Sequence, residues 1–235
     1  MIEPQPLVAL IHAVPAAGRI AELAFAREFR QATLWNLLDD RLLDDARHVG
    51  GLNHALRRRM LGLIGHAVDG GAHGLLLTCS SYGEVVDTAR TLWNIPLLKS
   101  DEAMFTAALT GPYRRVVVAA SAPPAVPAAV TQLEALIPRV RPDRAVEVVT
   151  ALSEDAARAD SPETTARHLA DALRFAGGPP ADVVLLAQYS LAPAREALAA
   201  LLEVPVLDGA GAAARRLSEL LAPTTAGPVT AAVAP

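Results

Sequence analysis

The residues most able to do chemistry concentrate in LLLTCSSYGEVV (75–86), where the single cysteine of the chain, Cys79, follows an apolar run and precedes two serines. A thiol there can act as a nucleophile or as an acid/base group, because its ionisation responds strongly to burial and neighbouring charge. Ser81 followed three residues later by Glu84 has capping-box spacing, which predicts a helix beginning within two or three residues of the thiol. The unpaired N–H groups and the dipole of such a helix start favour an anion, either a thiolate or a substrate carboxylate. Ser80 and Ser81 are therefore candidate substrate-binding residues as well as caps. Free cysteine is also common as buried filler. Filler belongs inside a strand, however, and Cys79 stands just past one.

The elements that must position it are legible from hydropathy. Apolar runs at 7–13, 32–38, 74–78, 95–99, 115–121, 145–151, 182–187 and 204–208 alternate with longer, helix-like segments. Near-continuous apolar strands separated by helices predict an α/β chain whose parallel sheets are covered on both faces. Between the second and third runs, Leu52, Leu56, Met60, Ile64 and Val68 recur every four residues, with Arg57, Arg58 and Arg59 between them. That pattern predicts an amphipathic helix with a solvated basic face. From residue 223 the sequence PTTAGPVTAAVAP has neither charge nor period and reads as a loose tail.

Laid on itself at an offset of 109 residues, the chain matches twice: Cys79 falls on Gln188, Ser81 on Ser190 and Pro96 on Pro205, while His12 falls on Ser121 and Pro15 on Pro124. The expectation is a duplicated fold with halves of about 1–109 and 110–222 and two similar lobes: 1–98 plus 207–222, and 99–206. Open α/β sheets bind ligands beyond the carboxyl ends of their strands. The duplication therefore adds Gln188, Tyr189 and Ser190 at the second copy of the Cys79 turn, and His12 and Ser121 at the ends of the first strands. Four loops would converge on one cleft. His12 is taken as a candidate catalytic acid/base, and Ser121, Gln188, Tyr189 and Ser190 as candidate substrate-binding residues.

Other charged clusters read more simply as structure. DDRLLDD (39–45) is expected to be a solvated loop and helix start, and His66, Asp69 and His73 lack the fixed spacing of a helix-borne zinc pair. No metal site is expected from these clusters, and no GxGxxG, Walker loop or GxSxG elbow occurs, so nucleotide-dependent and hydrolase-fold chemistry lose support. A formal charge of -4 without a long basic run gives no footprint for nucleic acid or an anionic membrane surface. The N-terminal MIEPQPLVALIHAV lacks the basic region of a signal peptide, and a lone cysteine makes no intramolecular disulfide. A cytoplasmic protein with a small-molecule partner is expected, with a homodimer as the default assembly.

A duplicated α/β chain with Cys-Ser-Ser after GLLLT, a matching turn after VVLLA, and IPLL and VPVL strands beyond each, resembles the aspartate/glutamate racemase superfamily, with its hydantoin racemase, maleate isomerase and arylmalonate decarboxylase relatives. The resemblance covers the chain to about residue 222. It implies cofactor-independent chemistry beside a carboxylate, in a cleft between two lobes, where paired cysteines remove and return the α-proton and small polar residues hold the carboxylate. Cys79 matches the first cysteine, and Ser80 and Ser81 the polar pair after it. Gln188 stands where the second cysteine belongs, and His12 replaces the acidic residue after the first strand. An amide cannot accept and return a proton, which removes two-thiol racemisation. An isomerase with one active-site thiol, a decarboxylase or lyase working through an enolate, and a carboxylate-binding relative without activity all stay open. Few aromatic residues favour a small aliphatic acid over an aryl one, with Tyr82, Tyr189 and Trp35 the only candidates near the loops.

Overall fold

The structure, a computed structural model, describes residues 5–175 and 180–222; the tail expected to be loose lies outside them. Each apolar run holds one strand, with β6 reaching one residue past its run. β1 (Leu7–His12), β2 (Thr33–Leu38), β3 (Gly74–Leu77) and β4 (Leu97–Leu98) form a sheet in the order β2-β1-β3-β4. β5 (Arg115–Ala120), β6 (Glu147–Leu152), β7 (Val183–Leu186) and β8 (Val206–Asp208) form a second in the order β6-β5-β7-β8. Every pairing is parallel. The central strands β1, β3, β5 and β7 are buried along almost their whole length because both faces are covered, and their only polar members, His12 and Arg115, stand at strand ends, whereas the edge strands β2 and β6 keep exposed positions.

The covering helices are α1 (Pro15–Glu28), α2 (Leu42–His48), α3 (His54–Asp69), α4 (Gly83–Ala89), α5 (Glu102–Thr110), α6 (Ala125–Val140), α7 (Pro162–Phe175), α8 (Arg195–Leu202) and α9 (Gly209–Leu221). α3 is the amphipathic helix expected from the four-residue stripe, with Asn53 as its N-cap accepting from the Leu56 N–H at 3.0 Å. Leu56, Met60 and Ile64 are buried, but Ala67 rather than Val68 completes the stripe. A spacing of four drifts off a helix of 3.6 residues per turn. Its basic face is only partly a solvated one: Arg57 reaches Glu84 at 2.7 Å, and Arg59 bridges Asp39 and Asp45 of the DDRLLDD segment.

The lobes exchange their last helices. α5 follows β4 of the first sheet, yet its Met104, Phe105, Ala108 and Leu109 pack into the core of the second. α9 follows β8 of the second sheet, and its Ala210, Ala213, Ala214 and Leu217 pack into the core of the first, beside α1. The two crossing helices also pack on each other along the seam.

Strand register corrects the repeat. β3 and β7, and β4 and β8, correspond at the offset of 109: Leu75 pairs Leu97 where Val184 pairs Val206. β1 and β5 correspond one residue earlier. The Asp39 N–H donates to the His12 carbonyl and the Ser153 N–H to that of Ala120, both at 3.0 Å, so the counterpart of His12 is Ala120 and not Ser121. The turn after β5 is longer than the turn after β1, and the gapless alignment hid the difference.

Candidate active site

The loops that follow β3, β4 and β7 meet at a cavity of about 210 Å3 between the lobes, lined by Thr78, Ser80, Asp101, Gln188 and Tyr189, with Gln132 and small residues of α6 opposite. Of the residues expected from the sequence, Ser80, Gln188 and Tyr189 are on this wall, and Cys79 stands behind it, between the wall residues Thr78 and Ser80. Ser80 and Gln132 also border a second depression, of about 420 Å3, that takes in Ser81, Arg57 and Lys99. Ser190 is exposed. His12 and Ser121 are not on the cavity wall; each reaches it through one intermediary.

Cys79 leads from β3 into a short 3-10 turn, Ser80–Tyr82, ahead of α4. The capping box does not form. α4 begins at Gly83 without a side-chain cap, because the 3-10 turn intervenes, and Glu84 turns instead to Arg57. The half-buried sulfur packs against the core of the first lobe, and the residues on either side of it, Thr78 and Ser80, line the cavity. Burial pushes the thiol above its usual range, although the N–H groups of Ser81 and Tyr82, the Ser81 hydroxyl and the Arg47 charge pull the other way. The thiolate expected at a helix start is thus not the resting form: desolvation outweighs the donors.

In the second lobe, Gln188 Oε1 accepts from the backbone N–H groups of Ser121 at 2.7 Å and Ala122 at 3.1 Å, and lies 3.2 Å from the Ser121 hydroxyl. The amide therefore caps the β5–α6 loop and carries no exchangeable proton for catalysis. His12 is 2% exposed. Its Nε2 lies 2.9 Å from Asn36 Oδ1, and Asn36 Nδ2 donates to Glu22. That arrangement assigns the proton to Nε2 and leaves Nδ1 facing the Thr78 hydroxyl at 2.9 Å. Burial lowers the pKa of the ring, against the Asn36 hydrogen bond and the Glu22 charge, so it rests neutral.

Three polar wall residues escaped the sequence reading: Gln132 of α6, Thr78 and Asp101. Thr78 connects His12 to the cavity: with the ring proton on Nε2, the Thr78 hydroxyl donates to His12 Nδ1, and its oxygen also lies 3.1 Å from the Ile11 carbonyl oxygen. Asp101, three residues past β4, is 8% exposed, and burial pushes its carboxyl up to about 6 while the Ser100 hydroxyl, donating at 2.6 Å, holds it down in part. Its place beyond the carboxyl end of a strand was the available signal. Tyr189 is raised well above its usual pKa by burial and by the charges of Asp101 and Asp208. Tyr82 and Trp35 are not at the cavity: Tyr82 is fully buried with its hydroxyl on the Leu42 carbonyl, and Trp35 packs against His66 and Gly70. His73 Nδ1 accepts from the Leu7 N–H at the start of β1. Among the described residues no cluster of His, Cys, Asp and Glu is arranged to hold a metal ion, and no helix is long and apolar enough to cross a membrane.

The architecture has solved counterparts. Allantoin racemase from Klebsiella pneumoniae superposes with a TM-score of 0.68 at 17% identity, covering 92% of this chain and 88% of that one. An aspartate racemase homologue from Pyrococcus horikoshii gives 0.68 at 14% identity, covering 92% and 98%. Arylmalonate decarboxylase gives 0.63 at 18% identity, covering 93% and 94%. At these identities the likeness is one of fold. Comparison with curated proteins finds no match. The family model for Asp/Glu/hydantoin racemase matches residues 49–217, a stretch that runs from the end of α2 into α9 and contains Cys79, Asp101 and Gln188, and the chain belongs to that family.

Proposed function

We propose that the protein is a cofactor-independent enzyme that moves a proton at the carbon beside the carboxylate of a small organic or amino acid, with Cys79 as its single active-site thiol. The observation that carries this reading is the state and place of that thiol. It is held protonated by burial, with two backbone N–H groups and a hydroxyl ready to stabilise the thiolate once the proton leaves. Ser80 on the wall, with Ser81 in the adjoining depression, would bind the substrate carboxylate and the enolate formed from it, as preorganised donors. His12 acts through Thr78, fixing that hydroxyl on the cavity wall. A cavity of about 210 Å3 is smaller than the roughly 300–1,000 Å3 of drug-sized pockets and suits a compact aliphatic acid.

A second reading, a decarboxylase or lyase, is favoured by Gln188. Its carbonyl oxygen is committed to the Ser121 and Ala122 N–H groups, so no proton is exchanged from that position. Loss of carbon dioxide followed by protonation from one face needs only the thiol. Incubation in deuterium oxide with aspartate, glutamate, allantoin and a 2-substituted malonate, followed by proton NMR, separates α-hydrogen exchange from carbon dioxide release. Cys79→Ser should lower whichever reaction is found by about 100-fold or more. A fully active Cys79→Ser protein rules the thiol out.

A further inference from the structure

With Gln188 unable to carry a proton, a reaction that both removes and returns one needs a second titratable group at the cavity. The wall offers Tyr189 and Asp101. Tyr189 directs its hydroxyl at the Ser100 carbonyl, and its raised pKa keeps it protonated. His12 has both ring nitrogens engaged behind the wall. Asp101 is the group left.

The Asp101 carboxylate occupies a niche built to hold it. Ser100 donates to Oδ2. Gly209 of α9 lies so close that a Cβ there would come within 2.7 Å of Oδ1, 2.6 Å of the Ser100 carbonyl oxygen and 3.1 Å of the Tyr189 ring. Neighbouring charges are spent elsewhere: Lys99 on Asp87, Glu102 on Arg90, and Asp208 on Arg195 and Arg27. Among the described residues no cation forms an ion pair with Asp101, so the niche holds a carboxylate without a counter-charge at the edge of the substrate cavity.

We propose that Asp101 is the second acid/base residue of the reaction, exchanging a proton with the substrate carbon from the interlobe cavity while Cys79 does so from its own loop. This rests on the proton-transfer reading of the function. In one direction the Asp101 carboxylate takes the α-hydrogen as a proton, the C–H electron pair passes into the adjacent carboxyl, or the ring carbonyl of allantoin, as an enolate, and the Cys79 S–H bond breaks as a new C–H bond forms on the other face. Asp101 is left protonated and Cys79 as a thiolate, which is the pair that runs the reverse direction. The two environments suit these roles, the carboxyl raised to about 6 and the thiol raised from its usual value, so that near neutral pH one member is a base and the other an acid.

The test follows α-hydrogen exchange from each enantiomer of aspartate, glutamate and allantoin in deuterium oxide. Asp101→Asn should lower exchange from one enantiomer by about 100-fold or more and leave slower exchange from the other, with Cys79→Ser showing the opposite preference. The acidic limb of the wild-type rate profile near pH 6 should vanish in Asp101→Asn. In Ser100→Ala, which removes the hydrogen bond that favours the charged carboxylate, it should move to higher pH. The inference is overturned if Asp101→Asn stays within about threefold of wild type for both enantiomers, or if the limb stays put in Ser100→Ala. Absence of exchange by the wild type across the panel overturns the underlying reading, and this one with it. Exchange that survives Asp101→Asn but not Cys79→Ser removes Asp101 alone.

Discussion

Asp101 is placed where its charged form is disfavoured, and that has a measurable cost in stability. Burial raises its folded pKa from 3.8 to about 6, so between those values the folded protein binds more protons than the unfolded chain. The stabilisation is complete below pH 3.8 and is lost as pH rises through about 6. At pH 8 the wild type should therefore carry a penalty of up to about 3 kcal/mol that Asp101→Asn lacks. His12 acts in the opposite sense: its lowered pKa removes stability as pH falls below 6.5, where the unfolded chain takes up the proton first. The Asp101 contribution is therefore read as the difference between wild type and Asp101→Asn across pH, since His12 is common to both. Thermal melts should show the variant more stable at pH 8, with the gap closing toward pH 4. An unchanged or lower melting temperature at pH 8 would mean that the carboxylate is better solvated than its burial implies. A residue that weakens the fold while lining the cavity is one whose position stability alone does not explain.

At the scale of elements, the strands were legible because parallel sheets covered on both faces demand unbroken apolar runs, and each run supplied one strand. Positions that depend on turns were not. The extra length after β5 shifted Ser121 against His12, and the 3-10 turn after Cys79 replaced the capping box, because neither hydropathy nor residue spacing reports a local change of backbone winding. Asp101 stayed hidden for a related reason: KSD after IPLL looks like any polar loop until the cavity shows which side chain turns inward. Gln188 was recognised as a missing thiol, yet its replacement role, tying the end of β7 to the β5–α6 loop, needed coordinates. That role has a consequence. Gln188→Ala leaves the Ser121 and Ala122 N–H groups without their acceptor and should cost about 1–3 kcal/mol, or a few degrees in melting temperature for a chain of this size. Gln188→Glu keeps an acceptor and should lose much less. Equal losses in calorimetric melts of both variants would show that volume, and not the cap, is what the loop needs.

For the whole molecule, the exchange of α5 and α9 decides how the lobes behave. Each sheet completes its core with a helix that continues from the other: Leu217 of α9 meets Gly74 of β3, while Phe105 of α5 lies with Val116 and Val118 of β5. Gly74 allows that contact because a Cβ there would stand 3.1 Å from Leu217 and 3.0 Å from Leu221. Neither lobe can shed its partner without opening its own core, so the two should unfold together although their sheets are separate. The same seam carries Gly209, which holds Asp101 and Tyr189 in place, so cavity geometry and global stability share one helix. Leu217→Ala tests this coupling. Truncating a fully buried leucine should cost about 2–5 kcal/mol, and native-state amide exchange should show that loss equally in β1 and β3 of the first sheet, whose core Leu217 joins, and in β5 and β7 of the second. Loss confined to α9 and the first sheet would mean that the lobes open separately, and the crossing helices would then be a hinge that lets the cleft open and close.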